Sequence, residues 1–509
     1  MPTPPDRARR PLTGRVLPTH SDPVARAAST LIGGPWGRHG VVGRQWFWTP
    51  LRILMAFAIF TLLLGWVQKV PCQSGNWTLS QQVADSKGQK TYVLGKEYVW
   101  MCYSDVIPLY GGRGLDQQKM PYQNDAPGQV MEYPVLTGYF MYAAAEVAHQ
   151  YDRAAGSVSG LPRPPPVETY WQVTVLMLAI CALAIVWAVS RLARRRTWDA
   201  AMVAFSPVLF LHAFTNWDLF AVALATVGML AWSRRRHGLA GLFFGLGAAA
   251  KLYPLFLLGP LLVLCFRARK MREFGITLAT AVLGWVAVNV PIALLWPTSW
   301  KLFFKMNSDR PADFDSLWNV GEHLAGGMTI GTTTLNTGTV LAFLAVCGGV
   351  GALGLLAPRR PRVAQLGFLL VAGFLLTNKV WSPQYSLWLV PLAVLARPGW
   401  RSYLAWQAAE VLLWFPRMYW FLQQQQQSYA DQGYKVLVRG LNQSWFIFMI
   451  IVRDLLLLLY CALVVRDVLA PERDAVRADG VDDPAGGVLD GAPDAWADRS
   501  ASGLARNTT

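Results

Sequence analysis

Asp105 stands in the run Tyr103-Ser104-Asp105, followed by Pro108, Gly111, Gly112 and Gly114 and then by Met131-Glu132-Tyr133-Pro134. A carboxylate beside a phenol and a hydroxyl can take the proton of an attacking hydroxyl, a frequent use of Asp and Glu as general bases. An Asp ahead of a Pro/Gly-rich stretch equally fits a solvated turn or a cap, so spacing alone leaves both roles open. Three more clusters interrupt apolar sequence. In Asn216-Trp217-Asp218 the plainer role is capping of the helix that follows. Lys251-Leu252-Tyr253-Pro254 breaks the apolar stretch from Gly238 to Phe266, where a cation is costly and marks a functional site unless it snorkels to the interface. Lys379 precedes Trp381, Ser382, Pro383, Gln384 and Tyr385, and Arg310 lies in a separate polar loop over 308–318. Two lysines and an arginine brought to one face suit a phosphate group, whose oxygens take charge-assisted hydrogen bonds.

The elements that must bring these residues together are membrane helices. A soluble chain of 509 residues would hold roughly three domains. With 53% hydrophobic and only 15% charged residues, this one has too little polar surface for that. The composition predicts an all-α polytopic membrane protein and excludes disordered, collagen-like and disulfide-knot classes. The net charge of +16 then reads as topology, since the arginines fall between apolar segments and not on one folded face. No nucleic-acid partner is expected.

Residues 1–46 carry seven Arg against Asp6 and Asp22 and read as a disordered basic cytoplasmic arm. The run from Trp46 to Val70 is too long for a signal-peptide core and lacks a small-residue cleavage site, so it is a retained first span. A long outer loop over 71–168 follows, and Tyr170 to Leu192 returns to Arg191, Arg194, Arg195 and Arg196. Hairpins over Ala200–Trp232 and Gly238–Phe266, spans at Gly275–Trp296 and Thr333–Leu356, a third hairpin over Ala364–Leu395, and spans at Tyr403–Phe421 and Trp445–Val465 complete the pattern. This gives about twelve spans, both termini cytoplasmic, with the membrane part over 47–465. The tail 466–509, with nine acids and five arginines, reads as a disordered cytoplasmic end. Several hairpin arms are shorter than the roughly 20 residues a perpendicular span needs. Helices broken at membrane depth require cover by protein or water, which points to an internal site opening outward.

Cys72 and Cys102 are the two cysteines placed outside, whereas Cys181, Cys265, Cys347 and Cys461 fall in apolar spans. An oxidising exterior permits a bridge, and two free thiols fit equally well. The stretch Val135 to His149 is apolar but interrupted by Glu146 and His149, and reads as an interfacial helix that holds the loop over the membrane.

These motifs, in this order and on one side, resemble the actinobacterial members of glycosyltransferase family 87, in the GT-C superfamily of polyprenol-phosphate-sugar-dependent transferases. The likeness runs from Trp46 to Val465. It implies a GT-C bundle, with interfacial helices of the first outer loop packed over a lipid-facing cavity. It further implies inverting transfer of mannose from a polyprenyl-phosphate-mannose donor to give an α-mannoside; the acceptor, read here as a lipid or polysaccharide of the cell envelope, is not chosen by the sequence over a protein. Asp105 matches the family's base, and Lys251, Lys379 and Arg310 are carried over as contacts of the donor phosphate. Glu132, Tyr133, Asn216, Asp218, Tyr253, Gln384 and Tyr385 are the further substrate-binding candidates, and Trp217 and Trp381 are candidates for stacking on pyranose faces. No cofactor, metal or nucleotide-binding domain is expected, and no G-x-G-x-x-G follows a strand pattern. A secondary transporter or lipid translocase is the rival reading, since about twelve spans with broken helices describe that class too.

Overall fold

The computed structural model describes residues 22–31, 47–75, 83–84, 90–92, 95–123, 131–431, 435–436 and 439–494. Five of its helices are long and apolar enough to cross a membrane: Pro50–Cys72, Pro166–Leu192, Met271–Leu295, Thr332–Leu356 and Gln443–Leu469. The arms read as short hairpins are short here too. They are the apolar helices Asp218–Ser233, His237–Ala250, Tyr253–Arg267, Val363–Thr377 and Pro383–Ala396. The expected all-α polytopic architecture holds, apart from one small sheet.

Pro166–Leu192 is a helix of 27 residues. It starts with Pro166 at a position where the missing N–H costs nothing, carries Glu168 at its positive end and Arg191 at its negative end. Its buried residues recur every three or four positions, from Tyr170 and Thr174 through Leu178 and Ala182 to Ile185 and Val189. It packs on Pro50–Lys69, Val135–Ser157 and Asp218–Ser233. Thr332–Leu356 is apolar all round yet buries only Leu335 and Gly354 inside the protein, the pattern of a helix solvated by lipid. His237–Ala250 lies against Met271–Leu295 at backbone distance. A methyl at Gly241 would sit 2.0 Å from the Thr277 carbonyl oxygen, and one at Gly245 would sit 2.1 Å from that of Ala281. Small residues four apart let two membrane helices touch along their backbones.

The first loop is tied down at several points. Cys72 and Cys102 are bridged, with Cα atoms 5.8 Å apart, which resolves the choice between bridge and free thiols. A short antiparallel pair, Val83–Ala84 with Lys90–Tyr92, extends to a parallel partner, Lys435–Val436. These strands, not expected from the sequence, join the loop to the segment that follows the long helix Trp400–Ala430. The helix read over Val135 to His149 runs on to Ser157. It buries Val135, Gly138, Met141, Ala145 and Ala148 along one face and is not among the helices apolar enough to cross a membrane.

Both ends of the chain are more ordered than their composition predicts. Within the basic arm, Pro23–Leu31 is a helix whose first amides, Val24 and Ala25, donate to the Asp22 carboxylate. The acidic tail also departs from expectation between 470 and 494, where it folds along the arginine-rich loops. Asp474 takes two hydrogen bonds from Arg362, Asp482 pairs with Arg359 and Arg360, Asp490 with Arg194, and Asp494 with Arg267. Trp232 donates to the Gly486 carbonyl within the same contact. Opposite charges supply the order that the missing hydrophobic period could not predict. The remaining parts of both expected disordered segments, 1–21, 32–46 and 495–509, lie outside the described residues.

Candidate active site

The breaks between short helices create the site. His237–Ala250 stops because Pro254 cannot continue it, and Lys251 turns extended, its amide still bonded to the Gly247 carbonyl. The freed Ala250 carbonyl accepts from Thr137 Oγ1 at 2.6 Å. At the second break, between Pro207–His212 and Asp218–Ser233, the Thr215 carbonyl accepts the Asp105 N–H at 2.8 Å and the Phe214 carbonyl accepts from Ser104 Oγ at 2.7 Å. The third break, between Val363–Thr377 and Pro383–Ala396, carries Lys379. Its Nζ donates to the Ser308 and Arg310 carbonyls at 2.9 and 2.7 Å, tying the loop of Arg310 to this turn.

These three breaks and the first loop enclose one cavity of ≈ 1260 Å³. Asp105 lies in its wall with Tyr133, Glu132, Asn216, Lys251, Tyr253, Arg310, Lys379, Gln384 and Tyr385. An apolar side is supplied by Phe303, Phe304 and Met306 of Pro297–Asp309 and by Val340 and Phe343 of the loosely covered Thr332–Leu356.

The Asp105 carboxylate is held on both oxygens. Tyr103 donates its hydroxyl to Oδ1 at 2.7 Å, and Asn216 donates Nδ2 to Oδ2 at 2.6 Å. Burial, and then the Asp105 charge, push the Tyr103 and Tyr133 phenols above their ordinary range, so both stay protonated and can only donate or be donated to as neutral groups. Lys251 sits 3.4 Å from Asp218 Oδ1 and faces the rings of Tyr133 and Tyr385 at 5.3 and 4.9 Å. It is a cation packed between aromatic faces, with a buried counter-ion behind it. Trp388 donates to the same Asp218 oxygen at 2.8 Å and stacks on Tyr253 and Tyr385. Glu132 pairs with Arg113 at 2.9 Å. Arg310 is exposed and makes no ion pair among the described residues. Burial, and then the neighbouring Arg310 charge, pull the Lys379 ammonium below the usual lysine range.

Three of the expected site residues stand behind the cavity and not in its wall. Asp218 is fully buried as the partner of Lys251. Trp217 is buried edge-on to Tyr133, and Trp381 is buried beneath the Arg453 guanidinium at 3.7 Å, so neither ring offers a face to a sugar. Conversely, Tyr103, Asp313, Trp414 and Arg417 line the cavity without having been singled out for it. Arg417 pairs with Asp315 at 2.8 Å and faces the Trp414 and Phe421 rings. In the sequence it sits in an apolar run within Trp400–Ala430, where an intramembrane arginine was itself the available signal.

No curated protein matches the chain. Across residues 161–383, the stretch that carries Asn216, Lys251, Arg310 and Lys379, the chain matches the model of glycosyltransferase family 87, and this match together with the apolar helices indicates a membrane glycosyltransferase.

Proposed function

We propose that the protein is an inverting transferase that moves mannose from a polyprenyl-phosphate-mannose donor to a hydroxyl of a lipid or polysaccharide acceptor. The reaction takes place at the outer face of the cell membrane, with both termini cytoplasmic and residues 47–465 forming the catalytic part. The observation that supports this most is that one cavity is lined by a doubly anchored carboxylate, Asp105, by the cations Lys251, Arg310 and Lys379, and by an apolar wall.

In inverting transfer the acceptor hydroxyl attacks the anomeric carbon from the side opposite the leaving phosphate. A base must therefore face the acceptor while positive charge faces the phosphate. Asp105 takes the hydroxyl proton. Tyr103 and Asn216 fix its two oxygens, so the carboxylate does not rotate as the proton arrives. Negative charge gathers on the departing phosphate. Lys251, paired with Asp218 at 3.4 Å and clasped by rings, and the exposed Arg310 supply preorganised compensation. Lys379 has two of its donors on carbonyls, which leaves one for a phosphate oxygen and makes it an organiser of the Arg310 loop. Glu132, steadied by Arg113, serves sugar or acceptor hydroxyls. The apolar wall suits a prenyl chain, which needs burial and no partners.

The test is transfer in proteoliposomes with radiolabelled polyprenyl-phosphate-mannose and a mixed lipid extract, wild type against Asp105→Asn. Label passing to a new product with wild type only, at equal expression and folding, is the expected result. Donor bound but never consumed, or consumed equally by both proteins, overturns it.

A further inference from the structure

Lys69 ends the first apolar helix, Pro50–Lys69, where a lysine would ordinarily stretch its ammonium out to water. It does not do so here. Lys69 is 1% exposed, its Nζ donates to the Tyr103 carbonyl at 2.7 Å, and it lies over the Trp414 ring at 5.1 Å. No carboxylate of the described residues is within ion-pair distance of it. A buried ammonium satisfied by one carbonyl and one ring face is an expensive arrangement, and a simple helix end does not require it.

We propose that Lys69 is a positioning residue for Asp105, holding the segment 101–105 that presents the carboxylate to the cavity. This rests on the reading of Asp105 as the base. The Tyr103 residue that Lys69 grips by its carbonyl is the one whose hydroxyl anchors Asp105 Oδ1. The preceding turn is gripped from the same two helices: Gln68 Nε2 and Trp414 Nε1 both donate to the Met101 carbonyl, at 2.6 and 2.9 Å. Met101 has φ 54°, a left-handed conformation that costs a non-glycine residue energy and persists only where neighbours impose it. The Cys72–Cys102 bridge tethers the two segments independently. Removing the ammonium therefore loosens the placement of Asp105 without unpinning the loop.

The experiment compares Lys69→Met, which keeps the length of the side chain, with Lys69→Arg, which keeps its charge and donors. Initial rates are measured against polyprenyl-phosphate-mannose in proteoliposomes. In parallel, amide exchange over 102–106, melting temperature and free-thiol content are measured in detergent. Lys69→Met is expected to lower kcat by about 10- to 100-fold while the donor KM stays within about twofold, and Lys69→Arg to recover most of kcat. Exchange over 102–106 should rise in Lys69→Met alone, with the bridge intact in both. Wild-type kcat and exchange in Lys69→Met overturn the proposal. So does an Arg variant as impaired as the Met variant, with melting temperature lost in both, which is the behaviour of a packing residue. Should wild type transfer nothing, the functional reading fails, and the exchange comparison still decides whether Lys69 holds the segment.

Discussion

Asn216 uses one amide nitrogen to serve two site residues: Nδ2 donates to Asp105 Oδ2 at 2.6 Å and to the Tyr133 hydroxyl at 2.8 Å. Its orientation is determined, because Oδ1 accepts the Trp217 N–H at 2.6 Å and only the nitrogen is left to face the carboxylate. Asn216→Asp replaces that donor with a second carboxylate beside Asp105. Transfer should fall by about 100-fold, and Asn216→Ala should cost about tenfold, both in kcat, when measured with the proteoliposome assay.

Lys251 and Asp218 are a buried pair at 3.4 Å whose outer partner faces the cavity. Removing Asp218 leaves the ammonium buried and uncompensated. Asp218→Ala should lose about 3–5 kcal/mol of stability in thermal or chemical unfolding, whereas Lys251→Met with Asp218→Leu should lose much less while abolishing transfer. Equal damage from the single and double changes would contradict the pairing.

Asp313 lines the cavity, with its carboxyl pushed up to about 6 by burial first and then by Asp315. A carboxyl raised on folding binds its proton more tightly in the folded state. Its contribution to stability is whole below the ordinary value of 3.8 and is lost as pH rises through about 6. Asp313→Asn should therefore remove part of the fall in melting temperature between pH 4 and about 6, and melt above wild type at pH 7. Melting curves across that range decide it.

Cys72 and Cys102 close a loop with a sequence separation of 30. Cys102→Ser, or reduction with dithiothreitol, should cost about 3–4 kcal/mol of stability, and transfer should fall with the loosening of the segment three residues before Asp105. Activity that returns on reoxidation of wild type, but not in the variant, checks the assignment.

Arg362 and Asp474 join the chain's acidic tail to the arginine-rich loops through a two-pronged contact, with both side chains 2% exposed. Asp474→Ala should destabilise by about 3–5 kcal/mol in a melting assay, since it strands a buried guanidinium. A neutral Asp474→Ala would mean that the tail only rests on the bundle.

The membrane class, the breaks in the helices and ten of the residues that line the cavity were legible in the chain. An apolar run of fixed length, a proline after Lys251 and a polar cluster between short arms each have a local cause, and local causes can be read without coordinates. The family match reinforces that reading over 161–383, while Asp105, Glu132 and Tyr133 come from the loop before it. The folded tail could not be read in the same way. Asp474, Asp482 and Asp490 look like a solvated acidic run until the arginines more than a hundred residues away are placed beside them.

By itself the sequence determined that the chain must bury long apolar helices, where those helices must stop, and which polar residues lie at the stops. The tertiary structure alone decided which of those residues share a cavity. It placed Trp217 and Trp381 behind the wall and Arg417 and Asp313 in it, turned Lys69 inward onto the Tyr103 carbonyl, and bridged Cys72 to Cys102. The reason is physical: hydropathy and helix-breaking are properties of neighbouring residues, whereas the direction of a side chain and the partner of a buried charge depend on segments that only packing brings together.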